Sequence, residues 1–168
     1  MALVRKMRFE DVEEASRVLC YVLQDAWKRY EKGYNPKRAL DFDVSVSSPK
    51  HLREKLANPE RLMLVAEKSK KIVGVALGQI IGESGLAKLG WIGVQPEEQH
   101  QGIGKALLKE FIKRCKQKGC HKITLYTLPV LIPAVNLYLK CGFVPEAYLH
   151  KEWWGVDFIE RSLRLKST

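Results

Sequence analysis

Residues 94–108 read Val-Gln-Pro-Glu-Glu-Gln-His-Gln-Gly-Ile-Gly-Lys-Ala-Leu-Leu and hold the first chemistry to weigh. An apolar strand pattern ends at Val94, a polar loop follows, and Gly102 and Gly104 open an amphipathic helix pattern. Free backbone N–H groups at a helix N-terminus, together with the helix dipole, bind anions. Glycines let a phosphate approach the backbone and permit conformations that a side chain blocks. Two common phosphate motifs fail here. A dinucleotide fingerprint needs a third glycine at position 107, which is Leu107; a Walker loop needs glycine at 99 and Ser or Thr after the lysine, where Gln99 and Ala106 stand. The pattern that fits is Q/R-x-x-G-x-G/A, read as Gln99-His100-Gln101-Gly102-Ile103-Gly104.

A second constellation follows the glycine loop. Leu137-Tyr138-Leu139-Lys140-Cys141-Gly142-Phe143 sets a tyrosine on an apolar helix pattern, 34 residues after Gly104. Cys20, Cys115, Cys120 and Cys141 are scattered. Cys115, Cys120 and His121 make no C-x-x-C pair, so no metal site is expected and the thiols read as small buried hydrophobes.

Elements must position these residues. Residues 3–8 alternate as a short strand, and Asp11 caps a helix whose apolar face is Val12, Ala15, Val18, Leu19 and Val22. Residues 30–49, with Gly33, Pro36 and Pro49, read mostly as loop, followed by a short helix at 49–56. Strands at 62–67, 72–81 and 86–94 form a meander. A helix over 103–118 carries Leu107, Leu108, Phe111, Ile112 and Cys115 on one face and ends at Gly119. A strand at 122–127, a helix at 133–140 and strands at 143–149 and 156–165 complete the chain. The expected class is mixed α+β with a central sheet, and residues 1–168 form one domain, as a length near 150 residues per domain implies.

The loop and the tyrosine motif, in that order and separated by helix and strand, resemble the GNAT superfamily of N-acetyltransferases. The Val94-Gln95-Pro96 step and the element order agree with it. The resemblance implies a mostly antiparallel twisted sheet of six to seven strands with about four helices, the strand ending at Val94 splaying from the strand at 123–127. It implies acetyl-CoA as cosubstrate, with pantetheine on the backbone of Ile92 and Val94 and pyrophosphate cradled by amides from Gln99, His100, Gln101, Gly102, Ile103, Gly104 and Lys105. Tyr138 matches the family's general acid toward the departing thiolate. Many members carry asparagine where Leu131 stands, and Asn136 does not replace it by position. The implied acceptor is a primary amine, on a protein N-terminus, a lysine or a small molecule, and a homodimer is compatible with the family.

The base is not given by the motif. Family members often draw a carboxylate from the splayed strand, yet residues 86–94 read LAKLGWIGV; Glu83 lies before it, Glu97 and Glu98 after it, with His100 and His150 as alternatives. A lysine near pKa 10.4 is neutral in about one molecule in 2,500 at pH 7, an α-amine near 8 in about one of ten. Without a base, an acceptor of low pKa is favoured. Trp27, Tyr30, Tyr34, His150, Trp153 and Trp154 either line an acceptor pocket or pack an edge.

Charge bounds the partners. Lys and Arg number 29 against 19 Asp and Glu, a net +10, which suggests an anionic partner: CoA phosphates, an acidic acceptor, nucleic acid or a membrane surface. Six basic residues against Glu110 over residues 103–118 give a local +5, read as a solvated face for its distal lysines. No RRM-like aromatic run or helix-turn-helix signal supports nucleic-acid binding. The longest uncharged run, residues 123–139, holds Pro129 and Pro133 and reads as strand and helix rather than membrane span. With no secretory signal, the expected setting is cytoplasmic. A CoA-binding regulator without catalysis is the alternative that the missing base allows.

Overall fold

The computed structural model describes residues 1–166. Its frame is a seven-stranded sheet in the order β1-β2-β3-β4-β5-β7-β6. The strands are β1 (Leu3–Lys6), β2 (Arg61–Lys68), β3 (Lys71–Ile81), β4 (Leu86–Val94), β5 (Lys122–Thr127), β6 (Val144–Leu149) and β7 (Phe158–Arg164). The helices are α1 (Val12–Ala26), α2 (Lys37–Ser45), α3 (Pro49–Ala57), α4 (Ile103–Gln117) and α5 (Ile132–Lys140). Every pairing is antiparallel except β4 with β5.

The apolar pattern explains the layers. β2 alternates Leu62, Leu64 and Ala66 toward α4 with Met63 and Val65 toward α1 and α3, so both faces are covered. Ser69 and Lys70 both take positive φ, 51° and 62°, and close the β2–β3 hairpin as a two-residue primed turn. On one face, Leu107, Leu108, Phe111 and Cys115 of α4 pack on β2, β3 and β4. On the other, Val12, Ala15, Val18, Leu19 and Val22 of α1 join Leu52 of α3. Fully burying a side chain of this size is worth about 1.5–3 kcal/mol.

The segment expected to be mostly loop contains α2, which brings the α-helices among the described residues to five. Ala39 and Leu40 are its buried residues. Packing on α1 makes the helix, helped by the Ser16 hydroxyl donating to the Ser47 carbonyl at 2.7 Å just beyond α2. After α1, one π-helical turn at Trp27–Glu31 widens the helix, and the Trp27 indole N–H donates to the Asn35 carbonyl at 2.9 Å. Among the described residues no helix is long and apolar enough to cross a membrane.

One ion-pair network ties the N-terminal strand to this frame. Arg5 donates to both Asp11 oxygens at 2.7 and 2.9 Å and to Glu67 at 2.7 Å, while the Arg8 amide donates to Asp11 at 2.7 Å. The Arg5 guanidinium, assisted by that amide, holds the Asp11 carboxyl below its ordinary value. A depressed carboxyl contributes stability above its unfolded pKa and loses it as pH falls through the folded value. Asp11→Asn should therefore cost about 2–3 kcal/mol at neutral pH. In urea titrations from pH 7 to 2, that gap should narrow below pH ~4; a pH-independent gap would show that the carboxylate charge is not what counts.

Candidate functional site

The sheet opens at β4. β5 pairs with it only at Leu86, Ala87 and Lys88, opposite Lys122, Ile123 and Thr124. Beyond that point β5 keeps β7 alone, and residues 89–94 keep β3 alone. The register between β3 and β4 slips where Leu77 faces Trp91 and Gly78 faces Leu89, so Gly90 is the extra residue of a bulge. Bulges bend a strand and raise its twist, here turning β4 away from β5.

The open edge presents two of the predicted residues. The Gln95 amide donates to the Val73 carbonyl of β3 at 2.8 Å, and Val94 O accepts from the Gln99 side chain at 3.0 Å. Because backbone groups alternate along a strand, Ile92 and Val94 point away from β3, into the gap. The Val94 carbonyl is thus already engaged by Gln99.

The glycine loop lies at the end of this edge. His100 and Gly102 have φ of 61° and 81°, and Gly102 is the left-handed residue immediately before α4. From His100 to Lys105, six successive backbone N–H groups find no hydrogen-bond partner among the described residues. The loop is pinned from behind: Lys68 donates to Glu98 at 2.5 Å and to Gln101 at 2.8 Å, and the Tyr21 hydroxyl donates to Glu97. Gly104 is different in kind from Gly102. A Cβ there would meet Leu137 and Val94 at 3.6 and 3.8 Å, which is ordinary contact, so the fold itself does not require glycine. Lys105 is exposed on the first turn of α4.

Tyr138 on α5 belongs to the same buried cluster as Val94 and Ile103, its ring 5.9 Å from Phe143. Burial pushes its phenol above the ordinary value. The residue is buried, and its hydroxyl makes no hydrogen bond among the described residues. Leu131 immediately precedes α5 without capping it through its side chain, and Asn136 is exposed.

None of the candidate bases considered from sequence lines the open edge as a free base, His100 being exposed in the glycine loop. Glu83 is exposed in the β3–β4 turn, Glu97 and Glu98 are engaged as above, and His150 pairs with Asp157 at 3.0 Å. A carboxylate that sequence reading did not consider is Asp43 of α2. It lines a cavity of about 180 Å³ on the α1–α3 side of the sheet, with Lys55, Arg61, Met63, Gly90 and Trp91 among its walls. Burial, reinforced by the nearby Glu31 carboxylate, raises Asp43 to about 6. Reading residues 30–49 as loop hid it, although helical spacing of Ala39, Leu40 and Val44 was available as a signal.

Aromatic residues close the neighbouring surface. Trp153 packs 5.1 Å from Tyr126 and 5.4 Å from Phe158, and Trp154, at φ 63°, lies 5.5 Å from Phe42 of α2. The Tyr34 hydroxyl donates to the Asp157 carbonyl at 2.9 Å. These contacts join the β6–β7 connection to the segment between α1 and α2. Lys88 Nζ sits 4.0 Å from the Tyr126 ring centre, and burial lowers its pKa.

The comparisons agree with this geometry. The structure of a PaiA N-acetyltransferase from Thermoplasma acidophilum, in complex with coenzyme A, superposes with a TM-score of 0.80 at 23% identity, over 97% of this chain and 99% of that one. The ribosomal-protein-S18-alanine N-acetyltransferase of Escherichia coli gives a TM-score of 0.75 at 19% identity, over 100% and 96%. A mycothiol acetyltransferase of an Arthrobacter strain is 34% identical over 90 residues, which is 51% of this chain and 28% of that protein. The chain therefore spans under a third of that relative's length. The family model described as Acetyltransferase (GNAT) family matches residues 20–143, from within α1 to the residue before β6, and with it the open strand, the glycine loop and the Tyr138 helix. The chain belongs to the GNAT acetyltransferase family.

Proposed function

We propose that the protein transfers an acetyl group from acetyl-CoA to a primary amine, by direct attack within a ternary complex. The observation that carries this reading is the run of six unpartnered amides from His100 to Lys105, set at the end of an unpaired strand edge. The residues fit the cosubstrate. A pyrophosphate needs several donors and positive potential, which the amides, the N-terminal end of α4 and Lys105 provide. A pantetheine arm carries two amides, which suit the backbone groups of Ile92 and Val94 as an added strand would. Gly104 leaves room above the loop.

Bound there, acetyl-CoA supplies an activated acyl group. The amides of the β4 edge polarise its carbonyl and hold the developing oxyanion. Tyr138 stays protonated through the neutral range because burial raises its pKa, and its hydroxyl donates to the departing sulfur. Since a thiolate, whose thiol titrates at about 8.5, is a weaker base than a phenolate, the hydrogen bond to the thiolate matters more than complete proton transfer. Direct attack is favoured over an acyl-enzyme. Cys115 and Cys120 are buried under α4, with Cys115 raised to about 12, and burial also raises Cys20 and Cys141. None is a ready thiolate nucleophile. The absence of a carboxylate on β4 keeps the CoA-binding regulator as the second reading, and a cytoplasmic setting suits either.

Release of free thiol from acetyl-CoA in the presence of amines tests the reading, with intersecting initial-velocity lines expected; parallel lines would indicate a covalent intermediate instead. Tyr138→Phe should lower kcat about a hundredfold with little change in CoA affinity, and an unchanged kcat would remove Tyr138 from the chemistry. Gly104→Ala should leave the unfolding midpoint close to wild type. It should nevertheless weaken CoA binding, measured by calorimetry, by roughly tenfold or about 1.4 kcal/mol. Equal affinity would mean that phosphate does not pass over Gly104.

A further inference from the structure

We propose that the cavity between α2, α3 and the β4 bulge seats the acceptor, and that this acceptor is a small zwitterion: a primary amine bearing its own carboxylate, with Asp43 taking the ammonium and Lys55 and Arg61 the carboxylate. The inference rests on the acetyl-transfer reading and names the substrate class of the same site.

Charge placement is the main argument. Asp43, Lys55 and Arg61 come from three elements and line one cavity. None of them has an ion-pair partner within 4 Å among the described residues; the Lys55 ammonium donates only to the Val46 carbonyl, at 3.1 Å. Opposite charges that share a half-buried cavity normally either pair or face water. Here Asp43 and Lys55 act on one another without closing to an ion pair, and Arg61 acts on Lys55 more strongly than Asp43 does, which leaves an anionic end at Asp43 and a cationic end at Lys55 and Arg61. Burial, then the nearby Arg61, lowers the Lys55 pKa, so the two cations stand close enough to repel, and a bound carboxylate would relieve both. At the other pole the nearby Glu31 strengthens the field for an ammonium. Glu31 itself accepts from Asn35 at 2.8 Å.

Size and position agree. About 180 Å³ is below the ~300–1,000 Å³ of drug-sized pockets and suits a small metabolite. Leu23, Met63, Leu77 and Trp91 give the space between the poles an apolar wall. Gly90 and Trp91 also line it, and they belong to the stretch of β4 whose other edge is free. The amine end of the acceptor therefore has to extend past Gly90, where a Cβ would meet only the Leu77 carbonyl, to reach the free edge that receives the thioester. Asp43 accepts one ammonium proton. The neutral nitrogen then forms its bond to the acetyl carbon as the carbon–sulfur bond breaks, and the second N–H proton ends on the sulfur. The products are the N-acetyl acid and CoA thiol, and Asp43 returns its proton to water.

A matched panel tests this with the intact protein: leucine against isopentylamine, phenylalanine against phenethylamine, lysine against cadaverine, together with spermidine and an alanine-initiated peptide. The zwitterion of each pair should exceed its decarboxylated partner roughly a hundredfold in kcat/KM. Arg61→Met should raise the KM of the preferred acid about tenfold, leave that of acetyl-CoA within about twofold, and be restored in part by Arg61→Lys. Asp43→Asn, which keeps shape, should lower kcat about a hundredfold. Equal or better turnover of monoamines, spermidine or the peptide overturns the zwitterion assignment and leaves acetyl transfer standing. So does an Arg61→Met variant with unchanged selectivity. Absence of thiol release with every amine, despite saturable CoA binding, overturns both readings.

Discussion

Backbone amides and carbonyls must find partners, and in a sheet they normally find them in the next strand. β4 breaks that rule for residues 89–94, since its parallel contact with β5 lasts only three residue pairs. Parallel pairing gains less per residue than antiparallel pairing, so the short contact is the weakest seam of the sheet and the place where separation costs least. The bulge at Gly90 makes the separation permanent. On the α4 side Phe111 fills the space beside Gly78, where a Cβ would come within 2.3 Å of its ring. The stretch of sheet beside the gap is therefore tightly packed on its α4 face.

Everything proposed for the cosubstrate depends on that gap. The chain leaves β4 at Val94, turns through Pro96–Glu98 and enters α4 nine residues later. That short path puts the helix N-terminus at the mouth of the open edge. Contacts from Lys68, Gln99 and Tyr21 hold the loop without using its amides. The donors are then fixed before any ligand arrives, so little ordering entropy is lost on binding.

Local signals made much of this legible. The glycine loop, the apolar face of α4 and the alternation of β2 and β7 depend on residues close in sequence, and strand and helix ends agree within two residues where those signals are strong. The alternation that directs Ile92 and Val94 into the gap is local too. α2 was not legible, because Gly33, Pro36 and the serines around it read as loop while its helical state depends on α1. The cavity proposed for the acceptor is harder still. Asp43, Lys55 and Arg61 lie on three elements, and nothing in their spacing announces that they share a cavity; only the packing of α2 and α3 against β2 brings them together.

The net charge of +10 divides once positions are known. The phosphate cradle consists of neutral amides and a helix end, with Lys105 the one charged residue within it, so cosubstrate binding accounts for little of the excess. Lys109, Lys113 and Lys116 stand exposed along the outer side of α4, away from the sheet, where screening at physiological salt limits their reach to about 8 Å. Lys55 and Arg61 differ in that they line a half-open, partly apolar cavity together with Asp43. A charge in such a place acts through lower dielectric and shorter distance than one on a solvated helix face. Two cations out of 29 can therefore matter more for choosing an acceptor than the whole surface excess, which chiefly sets solubility and long-range attraction for anions.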